Sequence, residues 1–139
     1  MLKIELLDWP AAQTEAKRIR FTVFVEEQGV PAELEMDDND AASLHALAYA
    51  DGRAVGTARL LPDGHIGRMA VLKAWRGRGA GRAILRRLID AARGRGHREV
   101  ALSAQVHALE FYRAEGFEPV GAVYEEAGIP HQAMRMRLG

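Results

Sequence analysis

The segment Arg76-Gly77-Arg78-Gly79-Ala80-Gly81-Arg82 has residue types and a spacing that could hold an anion. Its glycines allow tight turns and leave backbone N–H groups open to close approach. An amphipathic helix opens directly behind them, adding unpaired N–H groups and the positive end of a helix dipole. Together these suit a bound pyrophosphate. Two better-known phosphate signatures do not fit. No Gly-Lys-Ser/Thr follows, and the glycine spacing departs from G-x-G-x-x-G. The plain alternative is a glycine-rich connection between a strand and a helix. Other chemistries are excluded more firmly. With no cysteine there is no disulfide, thiolate nucleophile or cysteine zinc site. His45, His65, His97, His107 and His131 are widely spaced with no His-x-x-x-His, so no metal site is expected. Ser43 and Ser103 lack a Gly-x-Ser-x-Gly context.

The 139 residues read as one domain, 1–139, long enough for a proper core. No apolar run approaches the roughly 20 residues needed to span a bilayer. The acid at Glu5 argues against an export signal, and with the lack of cysteine the expectation is a cytoplasmic protein. Net charge is zero but segregated. Residues 26–40 hold seven acids and no Lys or Arg, whereas residues 68–98 hold ten basic residues and one acid, Asp90. That pattern suggests a site with a basic end for a phosphorylated ligand and an acidic end for a cationic one.

Residues 3–8 alternate as a strand. Asp8 and Pro10 signal a helix start, and Ala12, Ala16, Ile19 and Val23 recur at helical spacing. The prediction is one helix to about Gln28, stopped by Gly29. Residues 33–40 read as a short helix or ordered loop. Residues 44–50 and 54–61 read as strands joined at Asp51-Gly52, and Pro62-Asp63-Gly64 leads to another strand over 66–72, giving an antiparallel meander. A helix over about 79–93 carries the apolar stripe Ile84, Leu85, Leu88, Ile89 and Ala92. The strand at 99–103 follows by a crossover and should run parallel to the strand at 66–72. A helix over 106–115, a short strand over 117–120 and a last strand over 131–138 complete an α/β domain with a single mixed, mostly antiparallel sheet flanked by helices.

Two motifs in this order resemble the GCN5-related N-acetyltransferase (GNAT) superfamily over nearly the whole chain. The acyl-CoA motif, Gln/Arg-x-x-Gly-x-Gly/Ala after a strand, appears as Arg76-Gly77-Arg78-Gly79-Ala80-Gly81. A second family motif appears as Gln105-x-x-Ala108-x-x-Phe111-Tyr112 followed by Gly116-Phe117. The stretches from Arg20 to Pro31 and from Gly128 to His131 resemble the small bacterial branch typified by the ElaA and YjcF proteins.

The resemblance implies a GNAT fold splayed between its fourth and fifth strands. It also implies an N-acyltransferase that moves an acetyl or acyl group from acetyl-CoA to a primary amine by direct attack in a ternary complex. Pyrophosphate would sit on Arg76, Gly77, Arg78, Gly79, Ala80, Gly81 and Arg82, and the pantetheine arm along Met69, Ala70 and Val71, with Gln105 as a further contact where the family commonly has Asn. Tyr112 matches the family position of the acid that serves the leaving thiolate. Glu27, at the end of the first helix, is a candidate base or amine holder, with His107 and His131 as alternatives. Arg20, Gln28 and His131 are expected to line the acceptor pocket, with Asp37, Asp38 and Asp40 drawing in a basic acceptor. The expected partner is a small-molecule or lysine-like amine, with no nucleic acid, no membrane and no metal, in a monomer or homodimer. A non-catalytic acyl-CoA-binding module is the alternative reading.

Overall fold

The computed structural model describes all of residues 1–139. Strand β1 (Leu2–Leu7) leads into helix α1 (Trp9–Arg20), which Asp8 caps by accepting the Ala11 N–H at 3.0 Å. The α1 face Ala12, Ala16 and Ile19 is buried. The predicted single helix to Gln28 is not continuous. From Phe21 to Glu27 the backbone widens into π-helical turns, with Gln28 N–H bonded to Val23 O at 3.2 Å. Each widened turn takes in one extra residue and so rotates the side-chain faces. Val23 stays in the core with Ile19, Ala54 and Ala70, and Phe24 packs against them.

After a single turn of helix α2 (Ala32–Glu35), strands β2 (Leu44–Ala50), β3 (Arg53–Leu60) and β4 (Ile66–Val71) form the expected meander, with β1 on its far edge. Asp51 and Gly52 both have positive φ, +52° and +79°, as a two-residue type I′ hairpin requires. Arg59 pairs with Gly67 and Thr57 with Ala70, so Arg68 and Met69 together oppose Ala58. This bulge holds Arg68 at φ +50° and redirects β4 next to the glycine loop.

Helix α3 (Ala80–Gly94) buries the expected stripe of Ile84, Leu85, Leu88, Ile89 and Ala92. Strand β5 (Glu99–Gln105), helix α4 (Leu109–Ala114), β6 (Glu118–Glu126) and β7 (Ile129–Arg137) follow. The expected splay between β4 and β5 is complete enough to divide the sheet. The strands form a four-stranded set, β1-β2-β3-β4, and a three-stranded set, β5-β7-β6. A single parallel bridge, His65 to Ala101, joins them.

Two spans differ from expectation. The predicted helix over 106–115 is a 3-10 turn at Val106–Ala108 followed by α4. Strand β6 runs six residues past Val120, to Glu126, and β7 begins two residues before His131. Gly121, at φ +78°, sits at a register break between Val120 and Tyr124, so the strand bends there and continues.

The acidic stretch is a correction of another kind. Arg20 is 1% exposed and binds Glu35 and Asp40, the latter at 2.9 Å. Arg59 donates to Asp37 at 2.7 and 2.8 Å and to Asp40 at 2.9 Å, and Arg68 donates to Asp37 at 3.3 Å. Three guanidinium groups therefore neutralise three carboxylates, and Asp37 and Asp40 do not present free charge to a basic acceptor. The hydrogen bond from Arg59 holds the Asp37 carboxyl well below the usual carboxylate range. Burial pushes Asp40 up, but hydrogen bonds from Arg20 and Arg59 outweigh it and the net shift is downward. Groups with lowered folded-state pKa stabilise the protein above their unfolded value and lose that contribution as pH falls. The urea midpoint is expected to hold from neutrality to about pH 5 and then fall steadily below about pH 4. A midpoint that stays level down to pH 3 would contradict this.

Candidate active site

The glycine loop lies between β4 and α3. Gly77 and Gly79 adopt φ +75° and +89°, and Gly79 caps α3 without any side-chain acceptor for the first-turn N–H groups. Gly81 allows a close approach, since a Cβ there would stand 3.4 Å from the Phe111 ring. A cavity of about 590 Å³ opens beside the loop, with Met69, Ala70 and Val71 on one wall and Gln105, Phe111 and Tyr112 on the other. Arg76, Gly77, Gly79, Ala80, Gly81 and Arg82 also line it. These uncapped amides, left-handed glycines and open wall fit a pyrophosphate-bearing ligand. Arg78 is the exception among the loop residues. Its guanidinium stacks over Trp75, 4.9 Å from the ring centroid, and it does not line the cavity.

Glu27 also departs from expectation and lines neither cavity. Arg76 Nη2 donates to its carboxylate at 2.8 Å, and Arg76 Nε donates to Val71 O at 3.0 Å. The ion pair ties the glycine loop to the π-helical segment. A carboxylate committed in this way is a poor candidate for the base.

A second cavity, also about 590 Å³, adjoins the first and is lined by residues 66–69 of β4 and by Leu102, Ser103 and Gln105 of β5. Gln28, Glu35, Arg59, Arg68, Ser103 and His131 supply much of its polar lining, and Leu34, Leu61 and Ile129 are among its apolar residues. Arg59 Nε is the one enclosed side-chain nitrogen or oxygen without a partner. Arg20 does not reach this cavity, because its guanidinium is consumed by Glu35 and Asp40 on the core side. Sequence reasoning missed Glu35, Arg59, Ser103 and the β6–β7 hairpin. The only local signal was Gly121, the glycine at which β6 bends.

The two cavities share Phe24, Gln28, Met69, Gln105 and Tyr112. Gln28 and Gln105 clasp each other across the boundary by reciprocal amide hydrogen bonds of 2.9 and 3.3 Å. His107 Nε2 lies 2.6 Å from Gln105 Oε1. The Tyr112 ring is held edge-on by Phe111 and Phe117, with centroids 5.0 and 6.0 Å away. Burial pushes the Tyr112 hydroxyl up to about 12, so it stays a protonated phenol throughout the neutral range.

A family profile described as "Acetyltransferase (GNAT) domain" matches residues 11–138. This chain belongs to the GNAT acetyltransferase family. It is 37% identical over 124 residues to the uncharacterized N-acetyltransferase YjcF of Bacillus subtilis (strain 168), covering 86% of this chain and 89% of that protein. Among solved structures it is similar to an acyl-CoA N-acyltransferase from Pseudomonas aeruginosa, with TM-score 0.86 and 33% identity over 98% of this chain and 99% of that one. Escherichia coli ElaA superposes with TM-score 0.87 at 30% identity, again over 98% and 99% of the two chains. As a GNAT protein the chain is an acyltransferase, and its fold is one that generally binds acetyl-CoA or another acyl-CoA.

Proposed function

We propose that this GNAT protein transfers an acetyl group from acetyl-CoA to a primary amine by direct attack in a ternary complex. The observation that supports the reading is the meeting of two cavities at Tyr112, one lined by glycine-loop amides and the other by polar side chains. On this reading the pyrophosphate of acetyl-CoA rests on the amides from Gly77 to Arg82 and its pantetheine arm follows Met69–Val71. The amine enters from the second cavity and reaches the thioester carbon at the boundary. Backbone N–H groups on β4 take up the developing oxyanion. The Tyr112 hydroxyl hydrogen-bonds the leaving sulfur. With burial pushing its hydroxyl up to about 12, Tyr112 would lose its proton to a thiolate near 8.5 only uphill, so it acts as a donor and relay rather than as a full acid.

Thermal unfolding with and without acetyl-CoA tests the reading. At about a hundredfold excess over Kd, binding adds about 2.7 kcal/mol, on the order of 8 °C for a chain of this size. Thiol release across a panel of amines (lysine, glutamate, spermidine, an aromatic amine) then tests turnover. No stabilisation by any acyl-CoA overturns the proposal. Stabilisation without thiol release favours a non-catalytic acyl-CoA-binding module.

A further inference from the structure

We propose that His131 Nε2 is the general base that takes the first proton from the incoming ammonium. The inference rests on the acyl-transfer reading above and adds the group that reading leaves open. Three features of the structure support it.

The first is the tautomer. His131 Nδ1 lies 2.7 Å from Ile129 O, and a carbonyl oxygen can only accept, so Nδ1 carries the proton in the neutral ring. The Nε2 lone pair is thereby left free. The second is place. His131 is buried, lines the acceptor cavity and pairs in register with Gln105, one of the residues shared by the two cavities. Stacking against Tyr124, with ring centroids 6.0 Å apart and planes 24° apart, fixes the imidazole. The third is charge. Glu126 Oε2 stands 3.7 Å from Nε2, too far for a hydrogen bond to the neutral ring and close enough to stabilise the imidazolium once it forms.

The competing groups are otherwise engaged. His107 lines the glycine-loop cavity and not the acceptor cavity, and its Nε2 faces Gln105 Oε1 at 2.6 Å, where it must donate, so only Nδ1 keeps a lone pair. His65 is tied to Asp63 at 3.0 Å. Around His131 the other titratable groups are Tyr124 and Glu126 from β6, Tyr112 from α4, Glu35 from α2, and Arg59 and Arg68 from β3 and β4. Glu35 is committed to Arg20, and Arg59 and Arg68 to Asp37.

The proton balance closes without another reactant. The ammonium gives one proton to Nε2, and the neutral nitrogen attacks the thioester carbon. The C–S bond breaks as the tetrahedral adduct collapses. The second nitrogen proton reaches sulfur through the Tyr112 hydroxyl, which is protonated before and after. The imidazolium then releases its proton to water.

Two measurements test this. In protein labelled with 15N-histidine, the His131 ring nitrogens should show Nδ1 protonated and Nε2 bare at alkaline pH; the opposite tautomer overturns the proposal. His131→Gln should retain the acetyl-CoA thermal shift of the parent while losing about 10²-fold in thiol release near neutrality. The gap should narrow towards pH 10, where an alkylamine sheds its own proton. A variant within threefold of the parent across that range overturns the base assignment alone. Failure of the parent itself to be stabilised by acetyl-CoA overturns the underlying acyl-transfer reading and this assignment together.

Discussion

Tyr112→Phe is expected to lower thiol release by about 10²-fold while leaving the acetyl-CoA Kd within about twofold. Phenylalanine keeps the ring, and with it the edge-on contacts to Phe111 and Phe117 that hold residue 112 in place. Only the hydroxyl is lost, and on the mechanism proposed here that hydroxyl meets the leaving sulfur late in the reaction. The loss should therefore fall on kcat, with the glycine-loop contacts to the nucleotide untouched. Steady-state kinetics beside a binding titration separate the two quantities. If the Phe variant turns over like the parent, Tyr112 serves packing only.

The second large effect is on stability. Arg20→Met is expected to destabilise the fold by about 3–5 kcal/mol, a large share of the 5–15 kcal/mol typical of a whole domain. Methionine approximates the volume of the side chain but leaves the Glu35 carboxylate, 6% exposed, with only the outlying Arg68 near it, and strips Asp40 of one of its two arginines. Breaking a buried pair from one side costs far more than the pair contributes, because a desolvated charge remains. Arg20→Lys should fall between, since it keeps the charge and loses the fork that reaches both acids. Urea unfolding of the three proteins measures the series. Were Arg20 an acceptor-binding residue instead, activity would fall with the urea midpoint unchanged.

The Arg20 result bears on what the sequence could reveal. The glycine loop, the Asp51-Gly52 hairpin and the α3 stripe are local signals, each complete within a few residues, and the structure contains all three. The partners of Arg20 lie 15 and 20 residues away, and the partner of Glu27, Arg76, lies 49 residues away, so no window around either residue shows that its charge is already matched. The π-helical widening at Phe21–Glu27 leaves the apolar spacing intact and so looks like ordinary helix. The β6 extension was hidden by Gly121, which reads as an end in sequence and acts as a bend in the sheet. Gln28, Gln105, Tyr112 and His131 were picked out from motif positions. That the first two touch depends on the splay of β4 from β5, a tertiary event.

The amide clasp between Gln28 and Gln105 has a kinetic corollary. The two cavities that meet there are each open to solvent. On the acyl-transfer reading both reactants are therefore held side by side before the acyl group moves, and initial-rate plots in the two reactants should intersect rather than run parallel.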